Sequence, residues 1–382
     1  MNRLRTRNHS GMCADVASRL YLDHAATTPM LPAAAEAVVR GLAAWANPSS
    51  PHAEGRAARA MLESARNVVR SAYRWPHELV FTSGASEAIA LALGRAQVAS
   101  RLIGASEHDA VLRAAPDAVR LPVDTDGRIR LDVLEAELAV APAPALVAVQ
   151  WGNSETGVLQ PLGEIARLVA AAGGKLFVDA AQMPAGWDGA DRPQDVADLI
   201  AISGHKRGGP PGIGGLLIRD FALLLPTGGQ ERGYRGGTED VPAALGFAAA
   251  VSTPEDLAAL TAMRTRLDGA IRVLGGDVVA DAASRAPHIG SYRMPEMTAA
   301  AQLIRFDLAG IAVSAGSACS SGSMRPSHVL GAMGWDGAAA GEVIRVSFGR
   351  STTPADIERF ISAWAEIVRD ARARAIHAVE PA

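Results

Sequence analysis

Short apolar runs alternate with longer amphipathic stretches over residues 78–219, and this alternation constrains the fold more than any other feature of the chain. Six apolar runs lie there: ELVFT (78–82), RLIGA (101–105), ALVAVQ (145–150), KLFVDA (175–180), DLIAIS (198–203) and GGLLIR (214–219). Helical patterns lie between several of them, such as LGEIARLVAAAG, which ends at Gly173 and Gly174. A repeat of strand, helix and strand predicts a mainly parallel sheet with helices on both faces.

A second pattern follows the last of these runs. Its strand candidates are HIGSYR (288–293), residues 311–315 and VIRVSF (343–348), and its helix candidates are residues 297–305 and 354–376. The 382 residues exceed the roughly 250–300 at which a single core stops growing, so we expect two domains. We expect a large α/β domain over 31–260 and a smaller α+β domain built from 1–30 and 261–382, with a helix near 254–273 as the bridge.

Composition excludes several classes of protein. The net charge is −3, so no basic field favours nucleic acid or an anionic membrane as a partner. No apolar run approaches the ~20 residues of a membrane span. The two cysteines, Cys13 and Cys319, are too few for a disulfide framework and too far apart for a metal knuckle. The first twenty residues have no apolar core of a secretory signal, and we expect a cytoplasmic protein.

Ligands of such sheets bind beyond the carboxyl ends of the strands, where several reactive residue types stand here. Residues 83–86 (Ser-Gly-Ala-Ser) lie between a strand and a helix, where backbone N–H groups can bind phosphate, although such residues more often only cap a helix. His108 and Asn153 follow the next strands, and capping or turn formation explains residues of these types more often than catalysis. Asp179 ends an apolar strand and needs a cation or hydrogen-bond donors, unless it caps a helix.

Lysine is rare in this chain, since only Lys175 and Lys206 occur among 37 basic residues. Lys206 ends a predicted buried strand and precedes glycines that let the backbone approach a ligand closely. An ion-pair role would suit arginine equally well, but arginine cannot form an imine. A lysine at this place favours Schiff-base chemistry, and pyridoxal phosphate is the cofactor that combines a phosphate, a pyridinium nitrogen and an imine.

Ten motifs in order resemble the cysteine desulfurases, the NifS-like branch of the fold-type I pyridoxal-phosphate enzymes. They are YLDHAATTP (21–29), NPSSPHAEGRAAR (47–59), FTSGASEA (81–88), SEHDAV (106–111), GNSETG (152–157), VDAAQ (178–182), SGHKRGGPPGIGGL (203–216), GGQERGYRGGTE (228–239), SAGSACSSG (314–322) and IRVSFGR (344–350). The resemblance covers the chain from Tyr21 to about Arg350. It implies the fold of a type I pyridoxal-phosphate-dependent transferase, with a mainly parallel seven-stranded sheet between helices in the large domain.

The resemblance also implies which residues bind the cofactor. Lys206 matches the lysine that forms the Schiff base, and His108 matches a histidine that stacks on the pyridine ring and is an acid–base candidate. Asp179 matches the carboxylate on the ring nitrogen, and Gln182 matches the donor to the phenolic oxygen. The positions that match phosphate contacts are Ala85, Ser86, Ser203, His205 and, from the neighbouring subunit of a homodimer with shared sites, Thr238.

On the substrate side, Asn153 and Arg345 match the groups that hold the carboxylate of L-cysteine, with Asn153 also counted among the cofactor contacts. Cys319 matches the nucleophile that accepts sulfur as a persulfide, in a loop of small residues; judged without the resemblance, it would be an inert apolar residue. Pro-Pro-Gly at 210–212 stands where relatives often have Pro-Lys-Gly, and we expect it to affect loop stiffness or surface charge.

The implied reaction converts L-cysteine to L-alanine and passes the sulfur through Cys319 to an acceptor protein, either an iron–sulfur scaffold or an enzyme that supplies sulfur to tRNA or a cofactor. No resident metal is expected, although Cys319 could touch an iron–sulfur cluster transiently during transfer. No direct contact with nucleic acid or membrane is expected. A selenocysteine lyase, another lyase or aminotransferase of the same fold, and a non-catalytic scaffold stay open as alternatives.

Overall fold

The protein is described from a computed structural model that covers residues 19–316 and 327–379. Both cysteines, Cys13 and Cys319, lie outside the described residues. The strands in this part of the chain are β1 (Leu20–Tyr21), β2 (Glu78–Thr82), β3 (Ser100–Gly104), β4 (Val119–Leu121), β5 (Ala145–Gln150), β6 (Lys175–Asp179), β7 (Leu199–Ser203), β8 (Gly214–Ile218), β9 (Asp277–Val278), β10 (Ile289–Arg293), β11 (Ile311–Ala312) and β12 (Val343–Ser347).

Helices surround these strands, and most follow an amphipathic stretch of the sequence. They are α1 (Pro32–Ala43), α2 (Ala53–Ala72), α3 (Ala85–Arg95), α4 (Asp109–Ala114), α5 (Leu131–Val140), α6 (Leu162–Ala171), α7 (Pro193–Val196), α8 (Val241–Ser252), α9 (Leu257–Val273), α10 (Ala299–Leu308), α11 (His328–Ala332), α12 (Gly337–Ala340) and α13 (Pro354–Val379). None of the helices in the described ranges is long and apolar enough to cross a bilayer.

A seven-stranded sheet in the order β2-β8-β7-β6-β5-β3-β4 forms the centre of the fold. Every pair in it is parallel except those of β8, which runs antiparallel to both β2 and β7. All residues of β5, β7 and β8 are buried, as expected for strands covered by helices on both faces. The fold class and the six strands inferred from apolar runs are confirmed.

The edge strand β4 was not predicted from the apolar pattern. Its first two residues, Val119 and Arg120, are exposed, and only Leu121 is buried. Such a short, half-polar stretch carries no periodic signal, because an edge strand needs only one covered side.

A second core is built from residues near both ends of the described chain. The strands β12, β10 and β9 form an antiparallel sheet, and β1 pairs in parallel with β11. Its fully buried side chains include Leu22, Tyr292, Phe306, Phe360 and Trp364. Residues close to the N-terminus and the C-terminal third of the chain therefore share this core.

The boundary between the two cores is not sharp along the sequence. Val279, Ile289 and Val343 follow the expected boundary at residue 260, yet they pack into the core of the large sheet. The division of the chain into 31–260 against 1–30 with 261–382 stays a prediction. The strand expected over 311–315 is shorter, ending at Ala312.

Candidate active site

A cavity of about 730 Å³ lies at the carboxyl ends of the parallel strands. Ten residues expected at the site line it: Ala85, Ser86, His108, Asn153, Asp179, Gln182, Ser203, His205, Lys206 and Arg345. A wider surface groove of about 1150 Å³ lies between α2 and the segment 251–257, and it holds none of these ten. We therefore assign the chemistry to the smaller cavity, where side chains from separate motifs converge.

One end of the cavity is the N-terminus of α3. Gly84 precedes that helix with a φ of +153°, and a Cβ built there would meet nothing within 4 Å. The backbone N–H groups of Ala85 and Ser86 belong to the first turn of α3, whose orphan donors suit an anion. This end of the cavity fits a phosphate group, because the glycine keeps the space before the helix open.

A neutral histidine, His205, lines the same cavity. Burial first, and then the nearby cations Lys206 and Arg207, lower the pKa of His205. Its Nδ1 lies 3.1 Å from the Thr27 hydroxyl, which fixes the orientation of the ring. Ser203, the last residue of β7, is 2 % exposed and lines the same space. Both side chains can therefore act as hydrogen-bonding groups for a phosphate.

Asp179 and His108, an acidic and a basic side chain, both line the cavity. Asp179 ends β6, is 7 % exposed, and its Oδ1 accepts a 3.0 Å hydrogen bond from the Ala181 N–H. His108 caps α4, because its Nδ1 accepts the Ala110 N–H at 3.1 Å. Burial lowers the pKa of His108 despite the opposing charge of Asp179. The ring is thus neutral, with its proton on Nε2.

Glu107 was given no role from the sequence, yet it shapes the charge behind the cavity. It is 1 % exposed, and burial together with Asp179 raises the pKa of Glu107 well above its usual range. Its Oε1 accepts the Gln150 N–H at 2.9 Å, and its Oε2 has no partner among the described residues. Burial and the nearby Asp179 therefore favour the neutral form of the Glu107 carboxyl.

The Gln182 side chain shows why a polar ligand fits this wall of the cavity. Its Nε2 donates to the Ala25 carbonyl at 3.0 Å, and this bond uses one of the two N–H groups of that nitrogen. Its Oε1 is buried and has no hydrogen-bond partner in the described part of the chain. Buried polar atoms are rarely left unpaired, so a polar group bound at this wall would complete the set.

Lys206 stands in the turn between β7 and β8. This turn is a short 3₁₀ helix, His205–Arg207, and β7 pairs with β8 so that Ser203 faces Gly214. The Lys206 carbonyl accepts a 3.1 Å hydrogen bond from the Thr28 hydroxyl. The other lysine, Lys175, begins β6 at the end of that strand far from Asp179, and its 43 % exposed side chain pairs with Asp198.

Arg345 lines another side of the cavity. It is 3 % exposed, and its Nη1 donates to the Ser154 carbonyl at 2.8 Å. Its Nη2 donates to Asp23 at 2.6 Å, and its buried Nε has no partner among the described residues. Asp23 was not predicted as a site residue, although it belongs to the motif at 21–29.

Asn153 lines the cavity but is largely committed to its own turn. Its Oδ1 accepts the N–H groups of Glu155 and Thr156, at 2.9 and 2.8 Å. Its Nδ2 donates to the Ser106 carbonyl at 3.1 Å and to Gln150 at 3.2 Å. The described contacts therefore make Asn153 an organiser of the wall, and its contact with a substrate stays a prediction.

The expected nucleophile, Cys319, lies outside the described residues. Gly316 and His328, which are the nearest cavity-lining residues on either side of it in the chain, both contribute to this cavity. Glu155 contacts both flanks: its carboxylate accepts the Ser327 hydroxyl at 2.5 Å, and it would meet a Cβ at Gly316 at 2.7 Å. The sequence patterns place Glu155 with Asn153 in a turn but give it no role.

Thr238 does not line the cavity of its own chain within the described residues. It is exposed in the loop 228–239, whose base is firmly held. Glu231 in that loop accepts a 2.6 Å bond from Arg66 and a 3.0 Å bond from the Phe81 N–H, with both charged side chains buried.

The fold and the cavity define a class of enzyme, and comparisons with known proteins indicate the same class. The family model of aminotransferase class-V matches residues 20–360. A cysteine desulfurase of Cereibacter sphaeroides is 37 % identical over 378 residues, covering 93 % of this chain and 97 % of the relative. The chain belongs to the class-V aminotransferase family, in its NifS-like cysteine desulfurase branch.

Solved structures agree with this placement. The NifS-like protein from Rickettsia africae superposes with a TM-score of 0.81 at 30 % identity, covering 92 % of this chain and 99 % of the other. The structure of SspA in complex with cysteine superposes with a TM-score of 0.73 at 28 % identity, covering 87 % of this chain and 100 % of that protein.

Proposed function

We propose that this chain is a pyridoxal-phosphate-dependent cysteine desulfurase, which converts L-cysteine to L-alanine and takes the sulfur as a persulfide on Cys319. One observation carries the proposal: ten residues expected from separate motifs line a single cavity. The identity to a named cysteine desulfurase over nearly the whole chain supports the same activity. A structural relative bound to cysteine supports the substrate.

The residues present fit pyridoxal phosphate. We assign the phosphate to the first turn of α3 with Ser203 and His205, the ring nitrogen to Asp179, and the covalent link to Lys206. When bound, this cofactor withdraws electrons from the Cα of the amino acid. The position of Asp179 supports this assignment, because it ends β6 at the cavity and is 7 % exposed.

Proton movements are then assigned to side chains of this chain. We assign to Lys206 Nζ the removal and return of the Cα proton of the substrate, since an amine can act as a base once it is released. His108 holds a proton on Nε2, because its Nδ1 is used as an acceptor by Ala110. It can therefore donate a hydrogen bond but needs no charge to do so.

The substrate carboxylate is assigned to Arg345. Its Nε is a buried donor without a partner among the described residues, and the guanidinium is held from behind by Ser154 and Asp23. A carboxylate that meets such a fixed guanidinium can accept two parallel hydrogen bonds. This arrangement would align the Cβ–S bond of cysteine within the cavity.

The sulfur step conserves atoms and electrons. The Cys319 thiol gives up its proton and attacks the substrate sulfur, the Cβ–S bond breaks, and Cβ gains a proton. The products are L-alanine and a protein persulfide. We propose that an acceptor protein, such as an iron–sulfur scaffold or a thiolation enzyme, then takes the sulfur, and that this happens in the cytoplasm, where thiols stay reduced.

We propose further that the enzyme is a homodimer with shared sites. An exposed apolar surface on and beside α1 supports this, with Val39 and Leu42 on the helix and Trp45 just after it, at 67, 64 and 80 % exposure. Exposed clusters of large apolar side chains are typical of protein interfaces. Thr238, exposed and absent from its own cavity lining, would reach the partner's phosphate site.

The variant Cys319→Ala tests the proposed function. It should still bind the cofactor and cysteine, because neither step uses the thiol, but it should release no alanine and carry no persulfide by mass spectrometry. Cys13→Ala is the matched control and should behave like the parent. Assays with cysteine and selenocysteine separate a selenocysteine lyase, whose activity would survive the substitution. Full alanine production from cysteine by Cys319→Ala would contradict the assigned mechanism.

A further inference from the structure

Arg350 joins two segments that are far apart in the sequence. Its Nη1 donates to the Arg207 carbonyl at 2.8 Å, its Nη2 to the Thr253 carbonyl at 3.0 Å, and its Nε to the Pro254 carbonyl at 3.1 Å. Every nitrogen of the Arg350 guanidinium thus donates a hydrogen bond, and the side chain is only 12 % exposed. The rigid fork of arginine can hold several acceptors in one fixed geometry.

Glu255 ties this arrangement together. Its Oε2 lies 3.1 Å from Arg207 Nη1 and 3.5 Å from Arg350 Nη2, and the Arg207 and Glu255 side chains are 3 and 8 % exposed. Two largely buried guanidinium groups share one carboxylate, which is a costly arrangement unless its geometry is used. Removing Glu255 would leave two buried guanidinium groups without their shared counter-ion, and removing either arginine would leave Glu255 with one cation instead of two.

The two arginines lie close in sequence to Lys206 and Arg345, the residues assigned to the amino group and the carboxylate of the substrate. Arg207 follows Lys206 in the same 3₁₀ turn, and Arg350 follows β12, which carries Arg345. The amino group and the carboxylate of an amino acid are bonded to one carbon atom. The groups that receive them must therefore keep a fixed separation, since small displacements cost large factors in rate.

We infer that Arg350, Glu255 and Arg207 form a positioning cluster that fixes the Lys206 turn relative to Arg345 and so selects substrates that carry an α-carboxylate. This inference rests on the proposed function, because it uses the assigned roles of Lys206 and Arg345. None of the three side chains lines the cavity, so they act through the two residues that do.

The test compares L-cysteine with cysteamine, which has the amine and the thiol but no carboxylate. The variant Arg350→Met removes the fork while keeping an apolar side chain of similar length. Binding of each compound to the cofactor-loaded protein is followed by the absorbance change, and kcat and KM are measured for cysteine. The parent should bind cysteine much more tightly than cysteamine.

Arg285→Met is the matched control. Arg285 is also largely buried, with a 4 % exposed side chain against 12 % for Arg350, and its Nη2 lies 2.6 Å from Asp268. Neither Arg285 nor Asp268 lines the cavity. Both variants should lose thermal stability, because each removes one cation from beside a buried carboxylate. Only Arg350→Met should lose the preference for cysteine over cysteamine, by about 10- to 100-fold, the range of a lost charge-assisted contact.

The outcomes separate the inference from the proposed function. A parent protein that forms no alanine from cysteine would contradict the proposed function itself. An active parent with an Arg350→Met variant that keeps its full preference for cysteine would overturn the inference. If Arg350→Met does not fold, Glu255→Gln and Arg350→Lys decide by the same ratio, since each keeps the shape but weakens the shared charge or the fork.

Discussion

Arg345 and Asp23 form a 2.6 Å ion pair across 322 positions of the chain, at the wall of the cavity. The Ser154 carbonyl takes a second donor of the same guanidinium. Arg345 is thereby held from two sides, and its buried Nε has no partner among the described residues. A strand near the C-terminus is in this way anchored to a loop near the N-terminus.

Arg345→Lys should weaken the binding of cysteine. A lysine keeps the positive charge but loses the planar fork, so it cannot contact Ser154 and Asp23 while presenting two donors to a carboxylate. We expect KM for cysteine to rise by about 10- to 100-fold, with cofactor binding unchanged. Arg293→Lys is the control, because Arg293 lies on β10 and pairs with Asp277 and Glu342. An unchanged KM would remove Arg345 from the substrate site.

Borohydride reduction should fix the cofactor on Lys206. The chain offers one other lysine, Lys175, which pairs with Asp198 at the far end of β6. Peptide mapping should find the label on the peptide with residue 206, and Lys206→Arg should lose it along with turnover. Lys175→Arg should keep both. Label on Lys175 would contradict the assignment.

Asp179→Asn should slow turnover by about 100-fold or more while the protein still binds its cofactor, because the amide cannot stabilise a protonated ring nitrogen. Stopped-flow absorbance with deuterated cysteine would show whether Cα–H cleavage has become the slow step. Asp198→Asn is the control, since Asp198 caps the Leu176 N–H and binds Lys175 at the other end of the strand. Near-normal turnover of Asp179→Asn would show that another group protonates the ring.

His24 should make the protein sensitive to acid. Burial, and then the charge of Arg207, lower the pKa of His24 to about 4 from its usual value near 6.5. As the pH falls, His24 is therefore protonated in the unfolded chain before it is protonated in the folded protein. Its contribution to the free energy of unfolding is fully present above pH 6.5 and is lost as the pH falls towards 4. The loss is on the order of 3 kcal/mol for this group alone.

Urea unfolding at several pH values checks this expectation. His24→Asn should reduce the slope of the free energy of unfolding between pH 6.5 and 4 by up to one proton. His52→Gln is the control, because the His52 side chain is 52 % exposed. Part of the slope should survive, since burial also lowers the pKa of His288 well below its usual range. An identical slope in His24→Asn and the parent would contradict the buried neutral state of His24.

The sequence predicts the central strands well, because strands that are covered on both faces need unbroken apolar runs such as Ala145–Gln150. It does not predict the reversed direction of β8, since an apolar run has no directional signal. Lys206 and Asp179 could be found because their residue types are costly at strand ends without a partner.

Other parts of the site depend on contacts that no local pattern carries. Asp23 meets Arg345 only in the folded chain, and Arg350 reaches the turn of Lys206 from 143 positions away. The raised pKa of Glu107 likewise arises from its burial near Asp179, which is far from it in the sequence, at the end of β6. Residue type and spacing along the chain cannot reveal such relationships.

The pairing of β7 with β8 sets the order in which the site can be built during synthesis. Ser203 and Gly214 face each other across a short turn, so the segment that holds Lys206 can close soon after residue 218 leaves the ribosome. Arg345 follows only when β12 pairs with β10, near the end of the chain. On the proposed roles, a nascent chain halted between these points would hold the Lys206 amine but lack the Arg345 guanidinium, and we expect it not to consume cysteine until β12 is in place.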